Sequence, residues 1–139
     1  MQQRYRLSGD FLVENYSILE YLMQRWKYQP VEGFEKRYNR IRKVYPSETR
    51  AVFVNLDRFV QMLNAGMLPR QIKAGFIHHE RKGVVAIDQS GCDGNPAQIR
   101  LYIHSRDSTV HLITIGDKGS QQADIRTSQK FVTQLRGGK

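Results

Sequence analysis

Cysteine is the scarcest chemistry in this chain: Cys92 is the single thiol among 139 residues. One thiol closes no intramolecular disulfide, so a disulfide-stapled secreted scaffold is excluded. Cys92 lies among turn formers, Gly91-Cys92-Asp93-Gly94-Asn95-Pro96, without the cysteine and histidine spacing of a zinc site, and reads as an incidental loop thiol. Long apolar runs are missing too. Nowhere do about 18 apolar residues follow one another, and Met1-Gln2-Gln3-Arg4-Tyr5-Arg6 leads into no such stretch, so a cytoplasmic protein is expected. There is no phosphate-cradling glycine loop and no Gly-x-Ser-x-Gly elbow, and Cys92 has no evident base partner. Nucleotide hydrolysis and serine or cysteine catalysis are set aside.

Acidic residues are few relative to basic ones. Against 22 Lys and Arg stand 13 Asp and Glu, a formal net charge of +9 and a pI near 9.9. Such an excess attracts nucleic acid, anionic membrane or an acidic protein, and a basic but idle surface has the same composition. The hydrophobic fraction of 40% and charged fraction of 25% are those of a folding chain. Its length suits one domain, residues 1–139, with a mainly helical part over 1–68 and a β-hairpin-and-helix part over 70–136.

Between residues 8 and 28, Phe11, Leu12, Ile18, Leu19, Leu22, Met23 and Trp26 recur at amphipathic helix spacing, with Ser8 as N-cap and Pro30 as terminator. A second helix is predicted from Val31, Phe34, Tyr38, Ile41 and Tyr45, stopped by Pro46. Its Lys36, Arg37, Arg40 and Lys43 share a face that can track a phosphate backbone, though a solvated helix face carries the same pattern. Residues 50–55 read as a short strand. Leu56, Phe59, Val60 and Leu63 then predict a helix ending at Gly66.

Beyond residue 70 the pattern turns to short β-branched runs. Residues 72–79 and 83–88 form two predicted strands joined near Arg81 and Lys82, and 90–97 is a loop. Residues 99–104 and 109–115 make the clearest strand pair, joined through Ser105-Arg106-Asp107-Ser108. Gly116 is expected to break the last strand, Thr127 or Ser128 to cap a final helix bearing Phe131, Val132 and Leu135, and the tail to fray. The predicted fold class is α+β: N-terminal helices packed on a small antiparallel sheet of three to four strands, with a C-terminal helix.

His104 and His111 on the hairpin read as ordinary surface histidines. They form no helical metal pair, and no metal site or cofactor is expected. His78-His79-Glu80-Arg81-Lys82 sets two groups that titrate near neutrality beside cations. Histidine can move a proton at pH 7, while Arg and Lys can stabilise a pentavalent phosphorane, so the cluster has the parts for metal-free phosphodiester cleavage. A charged turn between strands has the same composition. A helix-turn-helix for the first two helices stays open, without a clear signature at Gln29-Pro30.

The segment Ile99-Arg100-Leu101-Tyr102-Ile103, a polar turn, Val110-His111-Leu112-Ile113-Thr114-Ile115 and then Lys118, Gln121, Gln122, Asp124 and Ile125 resembles the C-terminal half of RelE-type toxins of the RelE/ParE superfamily. Residues 73–87 are similar to that family's basic strand before the hairpin. The resemblance covers about half the chain, residues 70–136. It implies a small sheet flanked by helices, a neutralising antitoxin protein, and occupancy of the ribosome with metal-free cleavage of messenger RNA through the ribose 2′-hydroxyl. Carried over, it implies proton transfer by His78 or His79 and phosphate or transition-state contacts by Arg81, Lys82, Arg100 and Lys118, with Lys73 on the basic strand. Two departures stand out. The family's early first strand is not evident, and Ile115 and Gly116 stand where several members carry a tyrosine. Related domains keep the scaffold and poison gyrase or merely bind, so a non-catalytic nucleic-acid- or protein-binding module and a gyrase-directed toxin are the alternatives.

Overall fold

The computed structural model describes residues 26–91 and 98–137. The predicted first helix, with its Ser8 cap, falls almost wholly outside them, as do Cys92 and the end of the tail. Where that helix was expected to finish, Lys27 and Tyr28 instead begin a strand, β1 (Lys27–Pro30). Its register, Lys27 opposite Thr109 through Pro30 opposite Leu112, makes it a parallel edge strand. Pro30 can close such a strand because an edge position does not require its missing N–H.

Gly33, at φ 89°, turns the chain into helix α1 (Phe34–Val44). Pro46 both forbids its continuation and starts helix α2 (Pro46–Asn64), since the proline ring presets φ at a first helical position where no N–H partner is needed. The expected strand over 50–55 is therefore not formed; those residues lie inside α2. Ala51-Val52-Phe53-Val54 is locally strand-like. However, Val52, Leu56, Phe59, Val60 and Leu63 continue one buried stripe at helical spacing, and packing overrides local propensity. Truncating fully buried Phe59 to Ala would remove about 3–5 kcal/mol. Gly66, at φ 104°, follows the helix end as predicted.

The sheet has five strands in the order β1-β5-β4-β3-β2, with β2 at Ile77–His79, β3 at Val84–Ile87, β4 at Ile99–Arg106 and β5 at Thr109–Asp117. Neighbours β2 to β5 pair antiparallel, and β1 makes the sheet mixed, correcting the expected three to four antiparallel strands. The α+β class stands. The predicted β4–β5 hairpin forms around Asp107 and Ser108, at φ 53° and 61°, the left-handed pair of a two-residue turn that matches strand twist. Tyr102 faces Thr114 while Ile103 faces Leu112, so Ile113 is the extra residue of a bulge.

Gly116 does not break β5. It is buried within the strand, opposite Arg100, and a Cβ there would meet Asp124 and Ser120. The last helix, α3 (Gln121–Leu135), starts six residues before the expected Thr127 cap, with Ser120 at its N-cap; Ser128 is instead fully buried in its interior. Helices α1 and α2 cover one sheet face, around Val52, Phe59, Ile87, Leu101 and Ile115. Helix α3 covers part of the other, around Val84, Ala86, Tyr102 and Val132. Among the described residues, no helix is long and apolar enough to cross a membrane.

Candidate active site on the open corner of the sheet

The face beneath α3 follows from strand alternation: His78 pairs with Ala86, Ala86 with Tyr102, and Tyr102 with Thr114, one row across the sheet. Helix α3 contacts β5, β4, β3 and the turn at Arg81–Gly83, so it crosses diagonally, away from one corner of the face. That corner holds His78, Asp88 and Arg100. Extending the β3–β4 register by one residue beyond Ile87–Leu101 sets Asp88 opposite Arg100.

His78 Nε2 lies 2.7 Å from Asp88 Oδ2, with the carboxylate almost fully buried and the imidazole one-third exposed. A carboxylate only accepts, so Nε2–H donates; in the neutral ring the lone pair is then on Nδ1, as a general base requires. Burial alone would raise the Asp88 carboxyl, but hydrogen bonds from His78 and from the Ser90 side chain and backbone, with the His78 charge, hold it below its ordinary 3.8. The Asp88 backbone is fixed too: Asn55 Nδ2 donates to Asp88 O at 2.8 Å and to Ser90 O at 3.0 Å. The dyad is thus rigid on the Asp88 side.

Lys118 lies beside Arg100, three strands across the sheet from His78. It follows β5 in a short turn, Lys118–Ser120, and lines a small hollow with Gln98, Arg100 and Gln121. Tyr102, on the same face, is buried and its hydroxyl has no hydrogen-bond partner among the described residues. Burial, then the Asp124 and Glu80 carboxylates against the opposing Arg100, push that phenol up to about 12.

Other predicted site residues lie elsewhere. His79 projects to the opposite face with Val85, and its Nε2–H donates to Ile72 O at 2.8 Å. Arg81 and Lys82 form the turn leading to Val84, level with His104, whereas Lys118 follows Asp117, level with Ile99. That is about 16 Å along β4 at 3.3 Å per residue, so Arg81 and Lys82 are not gathered with Arg100 and Lys118. Lys73 is exposed in the segment before β2. His104 is no surface histidine: it is buried, its Nδ1–H donates to Gly83 O at 2.9 Å, and its ring stacks on that of His111.

On α1, Arg37 is a structural cation. Its guanidinium binds the buried Asp124 carboxylate at 3.2 Å and the Ser120 hydroxyl at 3.2 Å, tying α1 to α3 past Gly116. Lys36 and Arg40 instead line an open groove of about 470 Å³ between α1 and α3, faced by Lys130 and Phe131. Among the described residues, Glu32 is the one carboxylate on its walls. Lys43 is exposed beyond this groove, on the last turn of α1.

Asp88 is the residue that sequence reasoning missed. Its signal was the predicted hairpin itself: with Glu80 N bonded to Val84 O, the register sets His78 and Asp88 diagonally on one face. No protein-family model matches the chain, and neither a curated protein nor a solved structure matches it.

Proposed function

We propose that this protein is a metal-free endoribonuclease of the RelE-like kind that its hairpin resembles, acting on messenger RNA at the ribosome and held in check by an antitoxin protein. The observation that carries the proposal is the His78–Asp88 dyad, with Arg100 opposite Asp88 on the same face of the sheet. In this scheme His78 Nδ1 takes the proton of a ribose 2′-hydroxyl as its oxygen bonds to the adjacent phosphorus. The P–O5′ bond then breaks, O5′ takes a proton from water, and a 2′,3′-cyclic phosphate and a 5′-hydroxyl result. Asp88 stabilises the imidazolium formed at His78, while Arg100 offsets charge on the phosphorane oxygens and Lys118, beyond it, holds a neighbouring phosphate of the RNA. His79, Arg81 and Lys82 have no part in this step. Primer extension on cellular RNA after induction tests it: new stops inside messages support cleavage, and intact messages contradict it.

A second reading, a non-catalytic RNA binder, is favoured by one observation. The cations of the α1–α3 groove, Lys36, Arg40 and Lys130, stand apart from His78. Those cations would hold phosphates, with affinity falling steeply with salt and no RNA product. A gyrase-directed toxin would leave messages intact and damage DNA; no feature of the corner favours it.

A further inference from the structure

A series of aromatic rings leads from the buried face of the sheet to the α1–α3 groove. It begins at buried His104 of β4, whose ring lies within 19° of parallel to that of His111 of β5, at a centroid distance of 6.4 Å. Phe131 of α3 continues it, 5.5 Å from the His111 centroid at an angle of 56°. The Phe131 side chain is only partly buried, and it lines the groove of about 470 Å³ between the two helices. Its ring is braced by a neighbour and still meets an open recess.

The helical repeat of α3 sets polar groups around that ring. Thr127, Lys130 and Gln134 fall one turn before, beside and one turn after Phe131, and all of them line the same groove. Lys36 and Arg40 approach from α1. Among the described residues Lys36, Arg40 and Lys130 make no ion pair, whereas Arg37 is engaged by Asp124. The volume of about 470 Å³ falls within the range of small-ligand sites, about 300–1,000 Å³. The lining thus combines free positive charge, a flat aromatic side chain and a side-chain amide that offers both donor and acceptor. A purely apolar ligand would leave the cations without partners, and an inorganic anion would leave the ring unused. A nucleotide engages all three.

We propose that the α1–α3 groove is a subsite for one unpaired nucleotide of single-stranded RNA, its base stacked on Phe131 and its flanking phosphates held by Lys36, Arg40 and Lys130. Gln134 supplies a donor and an acceptor for the polar edge of the base. The ring is what selects a single strand: in a duplex each base is already stacked on its neighbours, so only a splayed base reaches an aromatic side chain. This inference rests on the reading that RNA is the bound polyanion, and it needs no catalysis at His78. It adds attraction for the base to attraction for the backbone.

The test uses the full-length chain with His78→Ala, which keeps RNA uncut, and two labelled probes of about ten units, a span that covers a typical single-strand site. One is single-stranded RNA; the other is the same ribose-phosphate chain without bases. Fluorescence anisotropy at fixed salt should show the RNA bound about tenfold more tightly, the scale of one base stacked on an aromatic side chain. Phe131→Leu should abolish that preference and leave affinity for the baseless chain within about twofold, while Phe131→Tyr, which keeps a stacking face, should preserve it. Equal binding of the two probes with Phe131 in place, or a Phe131→Tyr variant as weak on RNA as Phe131→Leu, would overturn the base subsite and leave phosphate binding standing. An equal loss of both probes in Phe131→Leu would overturn it too, by assigning Phe131 to the fold alone. Binding of neither probe with the groove unaltered would retire the RNA reading itself, and the subsite with it.

Discussion

His78 Nε2 and Asp88 Oδ2 stand 2.7 Å apart across the β2–β3 hairpin, ten residues apart in sequence. The geometry fixes which ring nitrogen donates and leaves the other available to take a proton. Asp88→Asn keeps the side chain's size but removes the charge that stabilises the imidazolium. Cleavage of RNA should fall by about 10²-fold, the usual scale of general base catalysis, with RNA affinity changed less than about twofold. Single-turnover rates set against filter binding read the two separately. Parallel losses in rate and affinity would mean that Asp88 only holds the fold.

Stability should depend on pH through His104. Burial first, then Arg136, His111 and Arg106, lower its pKa from the ordinary 6.5, against the raising effect of its hydrogen bond to Gly83. His111 is lowered by burial and Arg106 as well. The unfolded chain therefore binds more protons between the folded value and 6.5. This contribution to stability is fully present above pH 6.5 and declines as pH falls below it. Thermal melting from pH 7.5 to 5 should show Tm dropping, and His104→Asn should flatten part of that slope. An unchanged slope in the variant would remove His104 as its source.

Gly116 should tolerate no side chain. A Cβ there collides with Asp124 and Ser120 and stands 3.0 Å from an Arg37 guanidinium nitrogen, within the ion pair that joins α1 to α3. Gly116→Ala is expected to cost about 3 kcal/mol, the sum of overpacking and a weakened buried charge pair. Urea denaturation measures it. A loss below about 0.5 kcal/mol would mean that the α1–α3 contact yields at little cost.

Much of this architecture was legible in the sequence. The β4–β5 hairpin, the end of α1 at Pro46 and the Gly66 stop follow from local chemistry, because turn residues and aliphatic periodicity there agree with the packing. Strand β1 was not legible. Lys27-Tyr28-Gln29-Pro30 is exposed throughout and acquires its strand from pairing with β5, a partner about eighty residues away that no local pattern announces. The N-terminal half of α2 was misread because β-branched Val52 and Val54 outweighed the longer stripe to which Val52 belongs. Of the candidate site, His78 was singled out by residue type and Arg100 and Lys118 through the resemblance. Separating His78 from His79, and Lys118 from Arg81, needed the register, since adjacent strand residues point to opposite faces and a sheet end is invisible in composition.

RNA affinity should lose salt dependence when the α1–α3 groove loses charge. Lys36→Ala, Arg40→Ala and Lys130→Ala together should reduce the slope of log affinity against log salt by about 0.7 for each phosphate contact removed on a single strand. Titrations at several salt concentrations give the slope. An unaltered slope would move the phosphate track elsewhere on the surface.

The most direct measurement maps RNA ends after ribosome-bound messenger RNA is incubated with the full-length protein and EDTA. Wild type should generate new 5′-hydroxyl ends paired with 2′,3′-cyclic phosphates, His78→Ala should generate none, and Arg100→Ala and Lys118→Ala should generate the same ends more slowly. Intact RNA with wild type, or the same ends at an undiminished rate with His78→Ala, would contradict catalysis at the sheet corner.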